Sequence, residues 1–147
     1  MPAELYIASS LYNAPRVRSL RDRFLGEGVG LTFDWTTFLS ADGPSDILSP
    51  SDELARVAGL EAEGVARASC ILMVFPGRNG THFEAGIAFG RQIPIVVLND
   101  LDLPFNVSFH YRPELLKFNS EDRAVHAVLE ILRKTRSTGV HLMGICP

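Results

Sequence analysis

Short apolar runs alternate with helical patterns along this chain, and that alternation limits the fold to a few architectures. Four runs have the length and composition of strands, at residues 5–8, 29–34, 70–75 and 94–98. Apolar residues at helical spacing occupy the intervals, over 15–26, about 49–68 and 81–90, and a final helix is predicted from 119 to about 134. This order predicts an α/β protein whose parallel sheet has four strands, or five if 115–118 joins it, with helices on both faces.

Composition narrows the class of protein. The 147 residues fit one domain, 1–147, and 46% apolar with 21% charged residues is ordinary for a globular chain. A net charge of -3 argues against a nucleic-acid-binding surface. Cys70 and Cys146 give neither a disulfide framework nor metal-ligand spacing. This cysteine content is typical of a cytoplasmic protein, and no metal or cofactor is expected. No apolar run approaches membrane-spanning length, so no membrane association is expected either.

A glycine-rich loop leads from the third predicted strand into a helix that carries a lone acid. Residues 75–86 read FPGRNGTHFEAG, and Pro76 with Gly77 ends the strand. Glu84 would therefore lie one turn inside the helix, at the edge of the sheet where open α/β sheets bind ligands. Thr81 followed three residues later by Glu84 also fits a capping box, in which the glutamate only binds a backbone N–H. The residues alone leave both interpretations open.

Other polar residues are expected at the same edge, because every strand-to-helix loop of a parallel sheet emerges there. The predicted crevice contains Ser9, Ser10, Asn13, Asp34, Trp35, Asn79, Gly80, Thr81 and Asn99. Trp35 could stack on a base while Asp34 binds its edge, or it could be a packing residue. The first loop lacks G-x-G-x-x-G, which disfavours an NAD(P)-dependent dehydrogenase. Gly77 and Gly80 could expose backbone N–H groups to an anion such as phosphate, or serve only the turn.

Three segments occur in a recognisable order: YIASS at residues 6–10, ARAS at 66–69 and GTHFEAGIA at 80–88. Together they resemble the nucleoside 2-deoxyribosyltransferase superfamily, which includes the deoxynucleoside 5'-monophosphate N-glycosidases. The most specific element is the G-T-x-x-E-x-G-x-A signature in the third segment. The similarity extends from residue 5 to about 98, and the C-terminal third matches only in predicted architecture.

The resemblance implies a flavodoxin-like three-layer sandwich in which a helix glutamate attacks the anomeric carbon of a nucleoside or nucleotide. Glu84 matches that nucleophile. The chemistry agrees, because cleavage of an N-glycosidic bond builds positive charge on the sugar, which a fixed carboxylate stabilises or captures. The family also places an acid eight residues before its A-D pair, which corresponds to Glu61 as a candidate acid or orienting group. Glu61 could equally be an ordinary solvated acid on its helix.

The remaining family positions are assigned by the same resemblance. Tyr6 matches a strand tyrosine that borders the sugar site and positions the nucleophile, although a core aromatic would look the same. Ser10 and Asn13 correspond to residues that bind sugar or phosphate oxygens. The loop residues that would hold a 5'-phosphate are Asn79, Gly80 and Thr81.

Two departures from the family leave the substrate open. Ser69 stands where the family has aspartate, and the first loop lacks the glycine and arginine of the monophosphate hydrolases. The expected function is cleavage of a nucleoside or nucleotide N-glycosidic bond, by a hydrolase or a base-exchanging transferase. The alternatives are a TIR-like NAD glycohydrolase and a non-catalytic nucleotide-binding or signalling module. A homodimer or higher oligomer is expected, because family sites are completed by a neighbouring subunit and the segment 140–147 is apolar.

Overall fold

Five parallel strands form one sheet in the computed structural model, which describes residues 2–38, 52–105 and 107–143. The strands are β1 (Ala3–Ser9), β2 (Gly30–Leu31), β3 (Cys70–Val74), β4 (Ile95–Leu98) and β5 (Leu116–Phe118). Their spatial order is β2-β1-β3-β4-β5, which is the flavodoxin-like order of a doubly wound sheet. The predicted α/β class is confirmed, and the fifth strand belongs to the sheet.

Four helices cover the two faces of this sheet. They are α1 (Ala14–Gly26), α2 (Asp52–Arg67), α3 (Asn79–Gly90) and α4 (Glu121–Met143). Helices α2 and α3 pack together on one face, while α1 and α4 share the other and are joined by ion pairs from Arg16 and Arg23 to Glu121. No helix formed by the described residues is long and apolar enough to cross a membrane.

The core follows the two central strands. Residues Cys70–Val74 of β3 are all fully buried, and they pair in parallel register with Leu5–Ser9 of β1 on one side. Central strands of a doubly wound sheet are covered on both faces, so they consist of nearly continuous apolar residues. That requirement explains why β3 was evident in the sequence.

The second strand is much shorter than the prediction of 29–34. Only Gly30–Leu31 pair with β1, and the chain then enters a 3-10 turn at Trp35–Phe38. Asp34 starts this turn, because its carboxylate accepts hydrogen bonds from both the backbone N–H and the hydroxyl of Thr36. Side-chain capping of this kind competes with strand pairing.

The helix boundaries also differ from the predictions. Helix α3 begins at Asn79 rather than 81, and α4 continues to Met143 rather than ending near 134. Residues 140–143 of the predicted apolar tail therefore belong to α4, whereas 144–147 lie outside the described residues. The predicted lid at 41–46 and the predicted helix cap at 49–51 also lie outside them.

Candidate active site

The buried carboxyl group of Glu84 on α3 contacts the buried phenol of Tyr6 on β1. The Tyr6 hydroxyl of β1 donates a hydrogen bond to Oε1 of Glu84 over 2.6 Å. Tyr6 is fully buried, and Glu84 is 7% exposed. Glu84 follows β3 in the chain while Tyr6 lies on the neighbouring strand β1, and connections leave these two strands in opposite directions. The two strands therefore flank the switch point of the sheet, and doubly wound sheets bind ligands outside the carboxyl ends of such strands.

Gly64 of α2 makes the room that Tyr6 requires. A Cβ at this position would lie 3.2 Å from two ring carbons of Tyr6 and 2.7 Å from Cβ of Phe33. The second distance is shorter than any normal carbon–carbon contact, and Cβ of Phe33 cannot move without its backbone. Helix α2 can therefore approach β1 only with glycine at residue 64, and that approach holds the Tyr6 ring in place.

The electrostatics of the site favour a protonated Glu84 in the absence of ligand. Burial raises the pKa of Glu84 to about 8, the hydrogen bond from Tyr6 lowers it, and the charge of Glu61 raises it. Burial and the neighbouring Glu84 raise the pKa of Tyr6 above its ordinary value, so the phenol keeps its proton and remains a donor. Glu61 is half-buried, and burial raises its pKa as well. Tyr6 and Glu84 are thus in direct contact, and Glu61 lies close enough for its charge to raise the pKa of both.

The capping-box interpretation of Glu84 is wrong. The helix begins three residues earlier than that pattern requires, and Glu84 lies in its second turn with its carboxylate bound to Tyr6. Thr81 instead accepts a hydrogen bond at Oγ1 from the backbone N–H of Arg78 over 3.1 Å. A Cβ on Gly77 would lie 2.9 Å from Cγ2 of Thr81, so this turn requires glycine. Thr81 is buried, and its contacts with Gly77 and Arg78 fix the conformation of the loop.

The first loop is tied to the loop after β3. Ser9 donates its hydroxyl to the carbonyl of Val74 at 2.8 Å, and the amide of Asn13 donates to Ser9 Oγ at 2.9 Å and to the carbonyl of Pro76 at 3.1 Å. Ser10 accepts from the N–H of Tyr12. These three side chains lie at the predicted edge, where Ser9 and Asn13 join the first loop to the end of β3 and the loop after it, whereas Ser10 bonds within the first loop.

Asp34 and Trp35 do not present free groups to a ligand. Trp35 is 5% exposed, and its indole N–H donates to the carbonyl of Ile7 at 2.8 Å. Asp34 is bound by Thr36 and by Arg21, whose guanidinium lies 2.9 Å from its carboxylate. The prediction that Trp35 stacks a base with Asp34 at its edge therefore needs correction, because packing and capping occupy both side chains. Asn79 and Gly80 are exposed at the start of α3.

Tyr6→Phe should raise the pKa of Glu84 further, because it removes the hydrogen bond that favours the ionised carboxylate. A ¹³C NMR titration of the Glu84 carboxyl carbon measures this change. Tyr12→Phe removes a hydroxyl from an exposed tyrosine and serves as the control, with no change expected. An unchanged or lowered pKa in Tyr6→Phe would contradict the role of this hydrogen bond.

A second pair of polar side chains consists of the half-buried His82 of α3 and the buried His110, and no pattern in the sequence indicated it. The rings of His82 and His110 lie 5.0 Å apart, and His110 is fully buried beside the rings of Phe75, Phe105 and Phe109. Both ring nitrogens of His110 and Nδ1 of His82 are buried, and none of them has a hydrogen-bond partner among the described residues. Within the described residues, no group of three or more metal-ligating side chains occurs here or elsewhere.

His110→Phe should make the protein less sensitive to acid. Burial, followed by the charges of His82 and Lys117, lowers the pKa of His110 below 6.5. The unfolded chain therefore takes up this proton first as the pH falls, so the stability that neutral His110 contributes is lost below about pH 6.5. Urea unfolding at pH 7 and pH 5 should show a smaller loss in His110→Phe than in wild type, while the exposed His126→Ala behaves as wild type. Equal losses would contradict this assignment.

Comparisons with known proteins add no family to this description: neither the protein-family models, nor the curated proteins, nor the solved structures contain a match to the chain.

Proposed function

We propose that this protein cleaves the N-glycosidic bond of a nucleoside or nucleotide, with Glu84 as the nucleophile. The observation that carries the proposal is the hydrogen bond of 2.6 Å between Tyr6 and a buried Glu84 at the switch point of the sheet. A carboxylate removed from water and aimed by a phenol is suited to reacting with a carbon that develops positive charge. The resemblance of residues 80–88 to the nucleoside 2-deoxyribosyltransferase superfamily supports the same role.

The proposed reaction proceeds in two steps. A Glu84 oxygen forms a bond to C1' of the sugar while the bond from C1' to the base nitrogen breaks, and the base leaves with the electron pair. Glu61 is the candidate proton carrier: it accepts the proton that Glu84 loses on becoming the nucleophile and donates it to the departing base, for which its raised pKa suits it. Water then releases the sugar, or a second base accepts it.

Ionisation of Glu84 is part of this proposal. With a pKa of about 8, most of the ligand-free protein carries a neutral Glu84 at pH 7. The positive charge that develops on the sugar ring favours the carboxylate, and the Tyr6 hydroxyl donates to the oxygen that becomes negative. The attraction between the Glu84 carboxylate and the sugar ring is therefore strongest while the bond from C1' to the base breaks.

Nucleobase release from a panel of nucleosides, nucleoside monophosphates and NAD tests the proposal. We expect the wild-type protein to release a base from at least one nucleoside or monophosphate, and Glu84→Ala to lose that activity. Release of nicotinamide from NAD alone would indicate the NAD glycohydrolase alternative. Nucleotide binding by calorimetry without any product would indicate a binding module and overturn the proposal.

A further inference from the structure

A cavity lies at the carboxyl ends of the outer strands β4 and β5, away from Glu84. Its volume is about 320 Å³. It is lined by Asn99, Asp102, Phe105, Lys117, Phe118, Asn119 and Arg123. These residues come from the segment after β4, from β5 and from the start of α4, whereas Tyr6, Glu61 and Glu84 lie on β1, α2 and α3. The cavity is therefore separate from the candidate active site.

Two cations line this cavity, and each lies over an aromatic ring. Nζ of Lys117 is 5.6 Å from the centre of the Phe105 ring, and the guanidinium of Arg123 is 5.6 Å from that of Phe118. Lys117 also donates to the carbonyl of His110 at 2.9 Å, which fixes the position of its ammonium group. In the described part of the chain, neither cation forms an ion pair with a carboxylate.

This arrangement differs from the other basic clusters of the protein. Arg16 and Arg23 are neutralised by Asp100, Glu121 and Asp122 across α1 and α4. The cavity contains two cations and one acid, Asp102, so its lining carries a net charge of +1 (2 − 1). A positively charged concave surface attracts anions of matching size.

We propose that this cavity binds a small organic oxyanion through Lys117 and Arg123. A guanidinium offers a planar pair of donors that matches a phosphate or carboxylate, and an ammonium adds a compact charge beside it. Asp102 and Asn119 line the same cavity, and they supply polar groups for the uncharged end of the ligand. The volume lies at the small end of the range for ligand sites, which favours a small metabolite.

NMR titrations of amide chemical shifts test this site with three probes of similar shape: phenyl phosphate, benzoate and the neutral benzyl alcohol. We expect saturable shifts at the amides of Phe118, Asn119 and Arg123 with at least one of the two anions, and none with benzyl alcohol. The anion that binds more tightly distinguishes a phosphate ligand from a carboxylate ligand. Arg123→Gln and Lys117→Gln should each weaken binding about tenfold or more, because each removes a charge-assisted hydrogen bond.

Arg133→Gln is the matched control. Arg133 is exposed on the same helix, ten residues and about 15 Å further along it, and the substitution changes the net charge by the same amount. Binding should be unchanged in this variant. Equal weakening by Arg133→Gln would indicate unspecific attraction and overturn the proposal. Absence of saturable shifts in wild type, or full binding by both Arg123→Gln and Lys117→Gln, would overturn it as well, whatever the outcome for Glu84.

Discussion

Glu84→Gln should lower kcat/KM for base release about a thousandfold, because a neutral amide can neither capture nor stabilise the cationic sugar. The substitution keeps the size of the side chain and an oxygen that accepts from Tyr6, so the loss isolates the charge. Glu63→Gln removes an exposed acid from α2 and should retain full activity. Activity of Glu84→Gln equal to that of wild type would end the assignment of Glu84 as nucleophile.

The same variant should be more stable than wild type at alkaline pH. Burial raises the pKa of Glu84 from 4.5 to about 8, so the folded chain binds more protons than the unfolded chain between these values. The stability of wild type therefore falls as the pH rises through this window, and glutamine abolishes that loss. Each pKa unit corresponds to about 1.4 kcal/mol, so the gain above pH 8 is on the order of several kcal/mol.

Urea unfolding at pH 5, 7 and 9 measures this gain. The advantage of Glu84→Gln over wild type should grow from pH 5 to pH 9. A variant that is inactive and yet more stable cannot have lost activity through unfolding. A stability difference that does not change with pH would show that Glu84 is not desolvated as the structure indicates.

Gly64→Ala should destabilise the protein by about 1–3 kcal/mol, the usual cost of forcing an extra carbon into a packed core. The new Cβ would lie 2.7 Å from Cβ of Phe33, so α2 must move away from β1. That movement also frees the Tyr6 ring, so we expect base release to fall together with stability.

Gly59→Ala is the control for this substitution. Gly59 lies on the same helix, and a Cβ there would meet no atom of the described residues within 4 Å. Alanine favours the helix over glycine, so this variant should be about 0.5–1 kcal/mol more stable than wild type. Thermal and urea unfolding of both variants measure the pair of effects. Stabilisation by Gly64→Ala would contradict the close packing of α2 on β1.

The sequence was informative wherever burial extends over a whole element. Strand β3 is covered on both faces, so its five residues are all apolar and predict the strand directly. The edge strand β2 is only two residues long, and the apolar residues in 29–34 reflect packing against the core, not a longer strand. The pattern could not reveal that Asp34 caps this turn, because that depends on the side-chain conformation.

The candidate site was predictable only in part, because its contacts join residues that are far apart in the sequence. The loop and helix of residues 75–86 mark Glu84 by their local composition, whereas the contact with Tyr6 joins residues 78 positions apart. Spacing along the chain carries no record of such a contact, and the resemblance to a family was needed to select Tyr6. The burial of His110 was invisible for the same reason, because it arises from the packing of an irregular segment among three phenylalanine rings.

Asn13 ties together the loops that follow strands β1 and β3. Its amide donates both to Ser9 and to the carbonyl of Pro76, so the two loops are held together in the folded chain. Ordering these loops is thus completed before any ligand arrives, so a ligand loses less of its binding free energy to their immobilisation. Under the proposed function, a ligand would thus meet two loops that are already tied together.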